Sequence, residues 1–270
     1  MRQTAKQIIG TLRSARPQNR IHASSRLVVS DNAGPIRGGI IMGRNSSLIV
    51  EEGAQIDSAI SIGDNCTVTL HQNSRILNTN FSVTNDSTVE LGEGAIINSP
   101  VSPMSSVTVD NGSLALGRRA HIMSCEVLVR FGGKMTIGSY TGIAYGSELR
   151  CEEQLDIGSY AMISYGVCIY DTNTHSLDWR ERRARIEHCY PEGVWEETKP
   201  ITSPVVIGDD VWIGKQVTIT KGARIGNRCI IGIRSTIGSG VIEDDSIVVA
   251  PKSRIINRQA GSNSSLNPNE

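Results

Sequence analysis

The sequence predicts an all-β fold of solenoid type, and two observations support this prediction. First, aliphatic residues near the C-terminus recur every six positions, a period that matches neither a helix nor a half-buried strand. Six isoleucines share this register: Ile207, Ile213, Ile219, Ile225, Ile231 and Ile237. Second, only 4% of the 270 residues are aromatic, whereas 27 are glycine. A period of six indicates short strands and turns, wound so that every sixth side chain faces one narrow interior.

The residues two positions before these isoleucines are small or β-branched, as a narrow interior requires. They are Val211, Val217, Ala223, Cys229 and Ser235. The six cysteines of the chain contain no CxxC pair, and Cys66 and Cys229 fall at the small inward position of a hexad. Core packing therefore explains these cysteines, and a reduced, cytoplasmic setting is expected.

Charge and hydropathy narrow the classes of function. Lys+Arg and Asp+Glu number 27 each, so no electrostatic binding of nucleic acid is expected. No apolar run reaches the length needed to cross a bilayer, and no membrane span is expected. The N-terminus lacks the apolar core of a signal peptide.

One elongated repeat domain is predicted, with a short segment at each end. Residues 1–24 form a lead-in that caps the first coil, with a possible short helix; residues 25–256 form the solenoid; and residues 257–270 form a disordered, Ser/Asn-rich tail. Hexads before Ile137 are spaced by roughly 20 to 30 residues, more than the ~18 of a three-sided coil. Loops are therefore expected to interrupt the early coils.

The repeat stops after Ile169 and resumes at Ile207, which leaves an excursion over residues 171–205. A long structureless excursion from a regular scaffold is usually functional. It starts with Asp-Thr-Asn-Thr-His-Ser at residues 171–176 and continues into an arginine-rich run at residues 180–185. This run is interpreted as a solvated loop surface, because glutamates are interspersed with the arginines.

Four stretches resemble the hexapeptide-repeat acyltransferases. They are residues 171–176, the Ile-Gly-Asp-Asp-Val-Trp-Ile-Gly run at 207–214, the isoleucine ladder, and the closing segment Ser-Ile-Val-Val-Ala-Pro-Lys-Ser-Arg-Ile-Ile at 246–256. Within that family the chain is most similar to sugar and polysaccharide O-acetyltransferases. The resemblance implies a left-handed parallel β-helix and a homotrimer. It also implies acetyl-CoA as acyl donor, bound in the groove between neighbouring β-helices, and no metal.

The resemblance also implies the positions of the site residues. The family's catalytic histidine corresponds to His175, and the tryptophan that helps to wall the active site corresponds to Trp212. Glu152 falls where related sugar acetyltransferases often carry an acceptor-binding carboxylate, with a solvated surface charge as the alternative interpretation. The residues expected to bind the cofactor are Gly214, Gly232, Lys252 and Arg254.

Acyl transfer to a hydroxyl needs a base for the hydroxyl proton, and histidine suits that role near neutral pH. His175 lies where the coil meets the excursion, with Asp171 and Asp178 close by in sequence. Either carboxylate, or a backbone carbonyl, would orient the imidazole, so these three residues form the predicted catalytic group. The other four histidines are interpreted as ordinary polar residues.

The predicted function is acetyl-CoA-dependent O-acetylation of a sugar hydroxyl in a saccharide or glycan precursor. N-acetylation of a nucleotide-linked amino sugar would use the same base and groove. Zinc-dependent hydration chemistry, found in γ-class carbonic anhydrases, needs three converging imidazoles, and Lys215 stands where those enzymes usually carry a ligand histidine. The remaining alternative, a non-catalytic scaffold, is disfavoured by the intact excursion with His175.

Overall fold

The computed structural model describes residues 19–101, 104–192 and 198–250, and it is a left-handed parallel β-helix of about ten coils. Each coil adds one short strand to each of three faces, and all pairings between these strands are parallel. One helix, Trp179–Glu192, lies outside the coils. The predicted fold class is confirmed. The helix proposed for the lead-in and the C-terminal tail lie outside the described residues.

The three faces are numbered in the order in which the chain meets them. Face 1 contains Arg20–Ile21, Ile40–Met42, Ile60–Ile62, Thr79–Thr84, Glu148–Cys151, Cys168–Tyr170, Thr218–Ile219 and Thr236–Ile237. Face 2 contains Arg26–Val29, Ser47–Val50, Thr67–Leu70, Thr88–Leu91, Gln154–Ile157, Val205–Ile207, Ala223–Ile225 and Gly240–Ile242. Ser105–Leu116 and Glu126–Ile137 run round the corner and serve both faces.

Face 3 is a separate ten-stranded sheet. Its strands are Ile36–Arg37, Gln55–Asp57, Arg75–Leu77, Ile96–Asn98, His121–Met123, Gly142–Ile143, Met162–Ile163, Trp212–Ile213, Ile230–Ile231 and Ile247–Val248. The cross-section of the molecule is therefore triangular, and face 3 lies opposite the corner between faces 1 and 2.

The predicted isoleucine ladder and the small inward positions form the core. All six isoleucines from Ile207 to Ile237 are buried, and so are the five small residues that precede them. Cys66 and Cys229 are fully buried free thiols, as expected. The inward hydroxyl of Thr141 is satisfied between coils: Thr141 Oγ1 donates to the Gly158 carbonyl at 2.6 Å and accepts the N–H of Ala161 at 3.0 Å.

The early coils contain more residues than the late ones, but most of them are not interrupted by the predicted loops. Ile56 pairs with Ile76, twenty residues later, whereas Ile213 pairs with Ile231, eighteen residues later. The additional residues lengthen the strands: face 2 has four residues in Ser47–Val50 but three in Ala223–Ile225. The wide spacing of the early hexads therefore results mainly from longer strands in each coil and less from inserted loops.

Candidate active site

The excursion leaves the solenoid at the corner between faces 1 and 2, and its two ends are tied together. Thr172 and Thr202 form an antiparallel bridge. The N–H of Asn173 donates to the Ile201 carbonyl at 3.1 Å, and the N–H of Ser203 donates to the Asp171 carbonyl at 2.9 Å. The first residues of the excursion are thus held by backbone pairing, although the segment lies outside the coils.

The sequence prediction of a structureless excursion is wrong over the helix Trp179–Glu192. Asp178 caps this helix: its Oδ1 accepts the N–H of Arg180 at 2.8 Å. An aspartate followed, after Trp179, by a run of Arg, Glu and Ala is a helix-start signal that the sequence analysis missed. The arginine run accordingly lies on a helix, where the Arg180 and Arg183 guanidinium carbons stack on the Trp179 ring, 4.7 and 4.8 Å from its centroid.

Asp171 is completely buried and faces the preceding coil. Its carboxylate accepts the backbone N–H groups of Glu152, Glu153 and Gln154 at 2.9, 2.7 and 2.9 Å. Burial raises the pKa of Asp171, while these three N–H groups oppose the rise. The contacts show that Asp171 shapes the corner where the excursion begins. Its role as an orienting partner of His175 stays a prediction.

Glu152 is the centre of a buried charged cluster. Its Oε1 lies 2.5 Å from Arg130 Nη2 and 2.9 Å from Arg150 Nη2, and its Oε2 accepts the Thr172 hydroxyl at 2.7 Å. The side chain has no exposed area, which excludes the solvated surface charge considered above. Burial favours protonation, but Arg130, Thr172 and Arg150 outweigh it and hold the pKa of Glu152 below its usual value. Acceptor binding by Glu152 stays a prediction.

His175 follows a tight turn that the Glu152 cluster supports. Thr174 has a positive φ of 64°, and its N–H donates to the Thr172 hydroxyl oxygen at 3.1 Å. The N–H of His175 donates to the Asn173 carbonyl at 2.7 Å. The side chain is exposed, and no described residue hydrogen-bonds its imidazole. The backbone of His175 is therefore fixed, while the ring remains open to a ligand.

The His175 side chain lines a cavity of about 810 Å³ between the neck of the excursion and the helix. Ser176, Glu181, Arg182 and His188 line the same cavity. His188 was interpreted from sequence as an ordinary surface residue, because without the helix nothing indicated that it returns towards His175. The structure thus adds a second histidine to the candidate site.

Trp212 is 52% exposed on the eighth strand of face 3, between Met162 and Ile230 of the adjacent coils. Because face 3 lies opposite the corner that carries His175, one chain does not bring Trp212 and His175 together. Asp178, as the cap of the helix, lies on the same side of the molecule as His175.

Gly214 and Gly232 occupy equivalent corners after face 3 in consecutive coils. Their N–H groups donate to the carbonyls of Ile231 and Val248 at 2.8 and 2.7 Å. A Cβ on Gly214 would lie 2.7 Å from the nitrogen of Ile233, so stacking of the coils already requires glycine there. Cofactor binding by these glycines stays a prediction, and Lys252 and Arg254 lie outside the described residues.

Within the described ranges, no group of three or more His, Cys, Asp and Glu side chains could hold a metal ion. No described helix combines the length and the apolar character needed to cross a bilayer.

A parallel β-helix with a helix-bearing excursion defines the class of this protein, and comparison with known sequences identifies its relatives. Residues 204–239 match the family model of bacterial transferase hexapeptide (six repeats). A probable acetyltransferase of Mycobacterium tuberculosis is 27% identical over 153 residues, which cover 56% of this chain and 47% of the relative. A putative lipopolysaccharide biosynthesis O-acetyl transferase of Escherichia coli is 35% identical over 57 residues, covering 21% of this chain and 29% of the relative.

Among solved structures, a hexapeptide-repeat acetyltransferase of Vibrio cholerae in complex with acetyl coenzyme A is 29% identical. The match covers 48% of this chain and 61% of that chain, with a TM-score of 0.36. The chain spans about half the length of the first curated relatives it matches. The resemblance predicted from sequence is confirmed: the chain is related to the hexapeptide-repeat transferases.

Proposed function

We propose that this protein is an acetyl-CoA-dependent acetyltransferase that modifies a hydroxyl group of a saccharide, with His175 as general base. The observation that carries the proposal is the fixed backbone and open imidazole of His175 at the edge of a cavity. The names of the curated relatives, which include an O-acetyl transferase of lipopolysaccharide biosynthesis, support the reaction class and the kind of acceptor.

In this mechanism the His175 imidazole accepts the proton of the acceptor hydroxyl as its oxygen becomes a nucleophile. Bound acetyl-CoA would supply the acetyl group as an activated thioester. The cluster around Glu152 acts through Thr172 and Thr174 to keep the backbone of His175 in place. Gly214 and Gly232 would lie beside the cofactor without donating to it, since their N–H groups already bond to the next coil.

We propose in addition a homotrimer with active sites between subunits, which the positions of His175 and Trp212 support. In one chain they lie on opposite sides of a triangular solenoid, whereas a cyclic assembly with the corner of one chain against face 3 of the next would bring them together. The proposed site therefore combines His175 of one subunit with Trp212 of its neighbour. Light scattering that found a stable, fully active monomer would contradict this arrangement.

The reaction is tested by measuring release of free CoA from acetyl-CoA with a panel of hydroxyl and amino sugars, and by mass spectrometry of the products. His175→Ala should lower turnover by roughly 10²- to 10⁴-fold, the usual contribution of a positioned base. His22→Ala, at an exposed histidine of the first coil, is the matched control and should keep full activity. Comparable turnover by folded His175→Ala protein would remove His175 from the mechanism.

A further inference from the structure

Aromatic residues are rare in this chain, yet five of them lie exposed on three consecutive coils. The sequence contains only 2 Phe, 3 Trp and 6 Tyr. Tyr140, Tyr145, Tyr160, Tyr165 and Trp212 are between 39% and 56% exposed. They contribute little to the core of the solenoid, so packing of the interior does not explain their concentration in one place.

The four tyrosines frame face 3 where its sixth and seventh strands lie. Tyr140 and Tyr160 stand at the corner before Gly142–Ile143 and Met162–Ile163, and they stack with ring centroids 5.2 Å apart and planes 2° from parallel. Tyr145 and Tyr165 stand at the corner after these strands, with centroids 4.4 Å apart. We call these four residues the tyrosine frame. Each of its two sides is a continuous aromatic surface spanning two coils.

Tyr140 and Tyr160 occupy backbone positions that do not suit tyrosine. Their φ angles are 59° and 58°, in the left-handed region. At the same corner, five other coils carry residues that adopt this region at less cost, and two carry arginine. The former are Gly53, Asn73, Gly94, Asp210 and Asp245, and the latter are Arg119 and Arg228. A bulky residue in this conformation is unfavourable for folding, and such strain concentrates at functional sites. The recurrence of tyrosine in two adjacent coils places the two rings against each other on the surface.

The surface enclosed by the frame is open and shallow. Gly142 has no atom within 4 Å of the place where a Cβ would stand, and Met162 is 68% exposed. Within the described part of the chain, the hydroxyl groups of the four tyrosines have no hydrogen-bond partner. The Tyr140–Tyr160 stack covers one face of each ring, and the Arg119 guanidinium carbon lies 5.9 Å from the centroid of Tyr140. The frame thus presents its remaining ring surface together with free hydroxyl groups at its rim.

We propose that the tyrosine frame binds an oligosaccharide. A pyranose ring has an apolar face of C–H groups and a rim of hydroxyls, which matches the apolar faces and hydroxyl groups of tyrosine. Tyrosine also loses little conformational entropy when it binds, since it has only two side-chain torsions. Because Tyr145 lies five positions after Tyr140, the frame is at most ~17 Å wide and accommodates more than one sugar ring.

The position of the frame connects it to the proposed catalytic centre. Met162 pairs with Trp212 in the next coil of face 3, so the frame continues directly to that tryptophan. The assignment of the bound saccharide as the acceptor rests on the proposed function. With this assignment, the frame is a second contact surface for acceptors longer than one sugar. Binding of an oligosaccharide by the frame does not itself require catalysis.

The test measures binding of three labelled hexasaccharides by titration calorimetry: oligomers of glucose, of N-acetylglucosamine, and of alternating uronic acid and N-acetylglucosamine. The wild-type protein should bind at least one of them. Combined Tyr140→Asn and Tyr160→Asn substitution should weaken that binding by tenfold or more. Asparagine adopts positive φ more readily than tyrosine, so this variant should unfold at no lower temperature than the wild type. Tyr145→Ser with Tyr165→Ser should also weaken binding.

Two further variants serve as controls for the role of the tyrosine rings. Tyr140→Phe with Tyr160→Phe keeps the ring faces and should retain most of the affinity, while Tyr170→Phe, on face 1, should change nothing. Failure of the wild type to bind all three hexasaccharides, or equal binding by the Asn variant, overturns the proposal. Loss of oligomeric state in the Asn variant also overturns it, because the frame would then be a contact between subunits. Absence of CoA release with every acceptor contradicts the proposed function alone, since binding is measured without acetyl-CoA.

Discussion

Thr172 joins the solenoid to the turn that carries His175. Its hydroxyl donates to Oε2 of the buried Glu152 at 2.7 Å and accepts the N–H of Thr174 at 3.1 Å. One side chain thus connects a charged cluster in the coils to the residue before the proposed base. The position of His175 consequently depends on residues that do not belong to the excursion.

Glu152→Gln is expected to destabilise the protein and to reduce activity. Removing one partner of a buried ion pair typically costs about 3–5 kcal/mol, because the remaining charge loses its compensation. The amide still accepts the Thr172 hydroxyl, so the loss should fall towards the lower end of that range. Denaturant unfolding measures it, with Glu153→Gln as the matched control. Equal stability of the two variants would show that the cluster contributes nothing to folding.

Glu152→Gln should also change how the free energy of unfolding depends on pH in the acid range. The pKa of Glu152 is lowered in the folded protein, so its contribution to stability is present above the unfolded value of about 4.5 and is lost as the pH falls through the folded pKa. Unfolding free energies measured from pH 7 to pH 3 should decline less steeply in Glu152→Gln than in the wild type. Parallel curves would contradict the lowered pKa.

Two substitutions of Asp178 distinguish its role as helix cap from a role in catalysis. Asp178→Ala should destabilise the helix Trp179–Glu192 by about 1 kcal/mol, because the N–H of Arg180 loses its acceptor. Limited proteolysis of the excursion should become faster in that variant. Asp178→Asn retains a capping oxygen without the charge and should behave like the wild type in both proteolysis and activity. A large loss of turnover in Asp178→Asn, with normal proteolysis, would instead favour the carboxylate as the partner of His175.

His71 is expected to hold its proton above the ordinary range for histidine. Burial lowers the pKa of His71, but hydrogen bonds to Glu90 at 2.7 Å and to Glu51 at 3.0 Å outweigh it, so the pKa is raised from 6.5. The resulting stabilisation is fully present below pH 6.5 and is lost as the pH rises through the folded pKa. An NMR titration measures this pKa directly, and Glu90→Gln should lower it. Titration of His71 at or below pH 6.5 in the wild type would refute the prediction.

Stability should also fall at alkaline pH because of Cys125. Burial raises the pKa of this thiol from 9.0 to about 12, so the thiol stays protonated in the folded chain after it has ionised in the unfolded one. Its contribution is complete below pH 9 and declines between pH 9 and about pH 12. Thermal unfolding across this range should show a smaller decline for Cys125→Ala than for the wild type.

The sequence alone determined the solenoid and its core. A period of six with small residues at a second fixed position permits one kind of winding, so the burial of Ile207, Cys229 and Ser235 followed from spacing. The resemblance carried by residues 171–176 and 207–214 also located the excursion and its histidine. These features are local in sequence, because each hexad repeats the contacts of the one before it.

Only the tertiary structure decided which residues the coil stacking brings together. Arg130, Glu152 and Thr172 meet because three successive coils place them at one corner, although 42 positions separate the first from the last. The tyrosine frame arises in the same way from residues twenty positions apart. Coil lengths vary between eighteen and more than twenty residues, so the hexad pattern did not specify which outward side chains become neighbours. Outward side chains do not pack in the core, so the six-residue period does not restrict which residues occupy those positions. Their neighbours in the next coil are set only when the backbone hydrogen bonds between coils form.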